Sequence, residues 1–173
     1  MSDQNRRPHP RYVPGMVYAV PLSDGTYGLA QSGIAVFPHV ISVALFSGRI
    51  EALHAPTSAL TASAVVSLTA TWRRDLNKGD WVPLGLAALT EALLDHPSEV
   101  LASKGYVGFR HCDAEILSDF LSAYHGLLPW NSMHDPKFFD TLLAQGVSRP
   151  QWARILGEDE RAAYRRDVLG VDA

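Results

Sequence analysis

Met16-Val17-Tyr18-Ala19-Val20-Pro21-Leu22 runs into Ser23-Asp24-Gly25-Thr26 and then Tyr27-Gly28-Leu29-Ala30-Gln31-Ser32-Gly33. Read together, these are a strand, a turn and a returning strand. The first segment alternates apolar residues with β-formers. Asp24-Gly25 supplies the positive-φ position that a tight hairpin needs. Gly28 and Gly33 in the returning strand predict a bulge or a close backbone contact.

Downstream, Val40 to Phe46 is an apolar, β-branched run of strand length, ended by Ser47-Gly48. Ala64 to Trp72 is another strand, with Leu68, Ala70 and Trp72 on one face and Ser67, Thr69 and Thr71 on the other. Asn77-Lys78-Gly79-Asp80 predicts a turn. Trp81 to Gly85 then reads as an edge segment, because Pro83 cannot donate to a ladder. Leu86, Leu89, Leu93 and Leu94 have helical spacing that Pro97 interrupts, and Gly105 to Phe109 reads as a short last strand.

Then the period changes. Asp113 reads as a helix cap with Glu115 in the first turn, followed by Ile116, Leu117, Phe120, Leu121 and Tyr124, with Gly126 as the terminating residue. Asp135-Pro136 is a second start signal, ahead of Phe138, Phe139, Leu142 and Leu143. The tail from Ser148 to Asp172 reads as one or two short amphipathic helices. Strands followed by helices predict an α+β fold. The expected architecture is a small curved antiparallel sheet or partly open barrel in the N-terminal two-thirds, packed with C-terminal helices. The expected division is a flexible arm over 1–11, a β-rich domain over 12–112 and a helical extension over 113–173.

The chain has 173 residues, which fits one domain or one domain with an added subdomain. Its composition, 47% hydrophobic and 19% charged, suffices for a core and excludes global disorder. A net charge of −3 argues against a dedicated nucleic-acid binder. A single cysteine, Cys112, makes neither an intramolecular disulfide nor a multi-thiolate zinc site. The polar N-terminus lacks the apolar stretch of a secretory signal, and no span has membrane length and apolarity. The expectation is a cytoplasmic protein without cofactor or metal.

Phosphate-loop, dinucleotide, nucleophile-elbow and zinc-helix motifs are absent from the sequence. His111-Cys112-Asp113 places successive side chains in different directions and reads as a strand-to-helix junction. His125 and His134 flank the loop Gly126 to Met133, and Asp135 stands ready to orient one of them, as a small hydrolase would require. The plainer reading has Asp135 capping a helix. Trp72-Arg73-Arg74, followed by Trp81, is a basic-aromatic group suited to stacking or phosphate contact. Its alternative is a core tryptophan beside a solvated hairpin tip. A nucleic-acid or small-ligand reading needs a basic stripe through Arg73, Arg74 and Arg110 on one face.

Two stretches carry a family resemblance. Pro14-Gly15 through Pro21-Leu22, with Asp24-Gly25-Thr26-Tyr27-Gly28-Leu29-Ala30, resembles the opening of the immunity protein 26 family of bacterial polymorphic toxin systems. Asn77-Lys78-Gly79-Asp80-Trp81-Val82-Pro83-Leu84-Gly85 resembles that family's later glycine-tryptophan turn. Ala123 to Trp130, with Asp135-Pro136 and the segment to Arg149-Pro150, is similar to an extension in some relatives. The resemblance runs in order through most of residues 13–150. Residues 50–63 depart from it in being rich in Ala, Ser and Thr, and Ala30 stands where relatives often carry a charge.

The resemblance implies a non-catalytic protein that neutralises a cognate toxin protein, such as a nuclease domain, by binding it. It implies no membrane or direct nucleic-acid partner and leaves a homo-oligomer open. A specific interface buries roughly 800 Å² per partner, anchored by aromatic and arginine side chains. Tyr27, Trp72, Arg73, Arg74, Trp81 and Trp130 are the candidate partner-binding residues where exposed. For Trp81 and Tyr18 core packing is the competing expectation.

Overall fold

The computed structural model describes residues 12–53, 57–60, 62–95 and 111–171. Five strands form one antiparallel sheet: β1 (Met16–Pro21), β2 (Tyr27–Phe37), β3 (Val40–Ile50), β4 (Val65–Trp72) and β5 (Val82–Leu86). The spatial order is β4-β3-β2-β1-β5, and the sheet is not closed. Four α-helices accompany it among the described residues: α1 (Arg73–Lys78), α2 (Glu91–Asp95), α3 (Ala114–Tyr124) and α4 (Glu158–Asp167). The fold is thus α+β with a partly open sheet. The expected arm over 1–11, the strand at Gly105–Phe109, the stop at Pro97 and Arg110 lie outside the described residues.

The opening hairpin forms where the sequence places it. Gly25 has φ 85°. The Leu22 amide donates to the Thr26 carbonyl at 2.8 Å, and the Thr26 amide and hydroxyl both donate to Asp24. Arg49 adds an ion pair to Asp24 across the strand ends. The ladder register shifts at Gly28/Leu29, and a Cβ on Gly28 would lie 2.9 Å from Leu121 of α3. The predicted close approach is therefore between the sheet and a helix.

Both long strands exceed their sequence reading. β3 continues through Ser47-Gly48, because a bare glycine there lets Ser63 pack against the strand: a Cβ on Gly48 would collide with the Ser63 hydroxyl. The expected turn after β4 also differs. Residues 73–78 close into α1, which stops at Gly79 with φ 91°. The chain then enters β5 at the opposite edge, beside β1. The ladder register shifts in the β1–β5, β2–β3 and β3–β4 pairs, irregularities of the kind that increase local twist.

Each face of the sheet carries its own core. On one face Tyr18, Val20, Ala30, Ile41, Val43 and Leu45 pack with Trp81, α3 and the C-terminal segment around Trp130, Phe139 and Leu142. On the other, Val17, Leu29, Ala44 and Phe46 pack with Leu60 and Leu93 of α2. The hydroxyl side of β4 belongs to the first face, since Thr71, Thr69 and Ser67 lie opposite Ile41, Val43 and Leu45. All three are buried. The alternation in β4 is real, but a third layer covers its polar side.

The predicted helix over 113–126 is α3. Its cap differs from expectation: Asp113 occupies the N-cap position and makes no capping bond. Asp75 of α1 accepts the Ala114 amide instead, at 3.2 Å. After Asp135 the chain makes only a short 3₁₀ turn, Phe139–Leu142. Asp135 accepts the Lys137 amide at 2.9 Å, as a capping residue does, but no α-helix follows. The tail contributes one helix, α4.

Candidate functional site

The end of β4, α1 and the start of α3 converge. The Cys112 amide donates to the Ala70 carbonyl at 2.9 Å, which lays residues 111–113 along the last turn of β4. That contact brings His111 edge-on to Trp72, with ring centroids 4.4 Å apart. The Arg74 guanidinium lies over the same indole, 5.6 Å from its centroid. Its Nε donates to Asp75 at 3.2 Å, and Nη2 stands 3.9 Å from Asp113. Trp72 is half-buried, while His111, Arg74 and Asp113 are exposed.

Two hollows meet at Asp113. One, of about 410 Å³, is walled by Trp72, His111, Cys112, Ile116 and Phe138. The other, of about 330 Å³, has Trp81 and Ser118 in its wall and charged groups of α1 and α3 around it. The carboxylates there, Asp75, Asp80, Asp113 and Glu115, outnumber the cations Arg74 and Lys78. Lys78 is taken by Asp80 at 3.5 Å, and Arg74 chiefly by Asp75. One turn along α3, the Asp119 carboxyl is raised by burial and then by the charge of Glu115.

The six sequence-selected residues do not form one surface. Trp72 and Arg74 meet. Arg73 turns the other way, with its guanidinium 5.4 Å from the Tyr12 ring centroid. Tyr27 pairs with Ile50, whereas Trp72 pairs with Val40, so they lie at opposite ends of the sheet. Trp81 and Trp130 are each 1% exposed and belong to the core. The Trp81 indole donates to Ser118 at 3.1 Å and packs edge-on against Tyr18. The Trp130 indole donates to Asp140 at 2.9 Å among Phe120 and Phe139. In this conformation neither side chain is open to a partner.

The histidine pair proposed for hydrolysis is likewise divided. His125 caps the end of α3 against Tyr124, at 5.5 Å between ring centroids. Burial holds it below its ordinary value, the Arg49 charge adds to that, and Asp24 opposes it. His134 is exposed and its carbonyl receives Arg161. Asp135 spends its Oδ1 on the Lys137 amide. Among the described residues no hydrogen bond joins these three side chains, and no group of three or more acidic, histidine or cysteine residues is placed to hold a metal. Arg73 and Arg74 lie over different rings, Tyr12 and Trp72, and so do not form together the basic stripe that a nucleic-acid or small-ligand reading would need.

Sequence reasoning passed over His111 and Glu115 as surface elements. Their signal was present: His111 immediately precedes Cys112-Asp113, and Asp113, Glu115 and Asp119 place acidic groups on the first turns of a helix whose last turn carries no cation. What was not legible was that β4 lies beside them. No family model matches the chain, nor does any curated protein or solved structure.

Proposed function

We propose that the protein is an immunity-type binding protein, acting in the cytoplasm, that neutralises a cognate toxin domain by direct contact and without catalysis. The observation that carries this reading is the cluster at the end of β4. Half-buried Trp72 is flanked by exposed His111 and Arg74 beside two hollows, whereas Trp81 and Trp130 are fastened into the core. Aromatic and arginine side chains around a depression are the usual anchors of a protein interface. The resemblance to the immunity protein 26 family lends the partner class. Its two stretches, far apart in sequence, lie side by side here as β2-β1-β5. Among the described residues no helix is long and apolar enough to cross a membrane.

The test is to use the intact protein as bait in its native host and identify a stoichiometric partner. That partner is then expressed in a sensitive host with and without this chain. Rescue of growth by the wild type, lost in a folded Trp72→Ala variant, is the expected result. A partner that harms no cell, or a turnover activity abolished by His134→Ala, would overturn the reading.

A further inference from the structure

The hollow beside Trp72 combines an apolar lining with an acidic rim. Ile116, Phe138 and the Trp72 indole offer surface to a hydrocarbon stem, and Asp113 stands at the mouth. Arg74 already shows which head group this geometry holds. Its guanidinium spans from the indole face towards Asp113, but its side chain is 74% exposed and the Asp113 contact is a loose 3.9 Å. Its close hydrogen bond goes to Asp75, in the neighbouring hollow. Asp113 is therefore paired only loosely, with Arg74, and Glu115 forms no ion pair among the described residues. A planar guanidinium stacks on an aromatic face and pairs with a carboxylate at once, which an ammonium does less well.

We infer that this groove receives an arginine side chain from the partner protein, its stem on Trp72 and Phe138 and its guanidinium between the indole and Asp113, displacing Arg74 towards Asp75. The inference rests on the binding reading above and names the chemistry of its partner: a surface that presents arginine. Around the adjoining hollow the carboxylates of Asp75, Asp80, Asp113 and Glu115 exceed the cations Arg74 and Lys78, so an incoming arginine meets an acidic surround. Leaving water on docking strengthens both the stacking and the ion pair relative to what exposed Arg74 enjoys.

The experiment titrates the folded protein with a capped Gly-Arg-Gly-Arg-Gly peptide and with its lysine counterpart, following tryptophan indole N–H resonances by NMR. The expected result is a saturable shift of the Trp72 indole with the arginine peptide and a weaker one with lysine. Asp113→Asn with Glu115→Gln should weaken binding by about tenfold. Arg74→Ala should tighten it, because the resident guanidinium no longer competes. Asp113 makes no capping bond, so Asn at 113 leaves the start of α3 on Asp75, and backbone spectra verify that each variant is folded. Equal affinity for the two peptides, a shift centred on the acidic first turn of α4, or weaker binding in Arg74→Ala would each overturn the inference. Because the probe is synthetic, these outcomes are independent of whether a toxin is recovered. A toxin neutralised equally well by the Asp113→Asn/Glu115→Gln variant would defeat the inference and leave the immunity reading intact.

Discussion

Trp72 and Trp81 are nine residues apart and have opposite fates. Trp81 fills the space between Tyr18 and α3 with its indole N–H donated to Ser118, so Trp81→Ala leaves a large cavity and removes the bond Ser118 accepts, while Ser118 keeps its own bond to the Ala114 carbonyl. Truncating a buried tryptophan costs about 3–5 kcal/mol, and urea unfolding should show that loss. Trp72→Ala, at a half-buried position, should cost far less. A second residue-scale prediction concerns His125, whose ordinary value is 6.5 and whose folded value is lowered by burial, with Arg49 adding to the effect. Below 6.5 the unfolded chain takes up a proton that the folded one resists, so this residue's contribution to stability falls as the pH drops. His125→Gln should flatten the decline in urea midpoint between about pH 7.5 and 5.5. An unchanged slope would remove His125 from the account.

At the scale of the element, α3 shows how a correct boundary can have the wrong cause. Its start at Asp113-Ala114 and its end before Gly126, which has φ 74°, follow from capping residues and apolar spacing. Yet the side chain that receives the first helical amide is Asp75, a residue of α1. Asp75→Ala should therefore destabilise the protein by about 1 kcal/mol, and Asp113→Ala by distinctly less. The reverse ranking in thermal or urea unfolding would return the capping role to Asp113. β4 teaches a related lesson. Its polar face looks solvent-directed in isolation and is buried in the fold, with the Ser67 and Thr71 hydroxyls finding no hydrogen-bond partner among the described residues. Period two identifies two faces, but not which of them a third layer will cover.

Across the molecule, the C-terminal segment is strapped back onto the loop after α3. Arg161 donates to the carbonyls of Asn131, Met133 and His134, and Arg165 to that of Ser132. Asn131 in turn exchanges two hydrogen bonds with Leu156, and Pro129 bridges Arg154. One guanidinium thus organises the loop above Trp130. Arg161→Ala should cost about 2 kcal/mol and speed amide exchange over residues 130–134, while exchange in β1–β3 stays slow. Uniform acceleration across the sheet would show that the strap and the sheet unfold as one unit.

The sequence by itself determined the hairpin of β1 and β2, the span of α3 and the placing of most strands ahead of the helices. Each is set by near neighbours: an Asp-Gly turn, apolar residues at helical spacing, a change of period. The burial of Trp81, which the sequence offered both as a partner contact and as core, was decided by the tertiary structure. The sequence could not say that β5 leaves β4 for the far edge, because strand order depends on long-range pairing and not on strand propensity. Nor could it say that Arg73 and Arg74 diverge, or that His111 meets Trp72 across some forty positions. Those contacts exist only once residues 111–113 lie against β4. The candidate surface is a product of that long-range pairing, since neither α1 nor the start of α3 forms a groove alone.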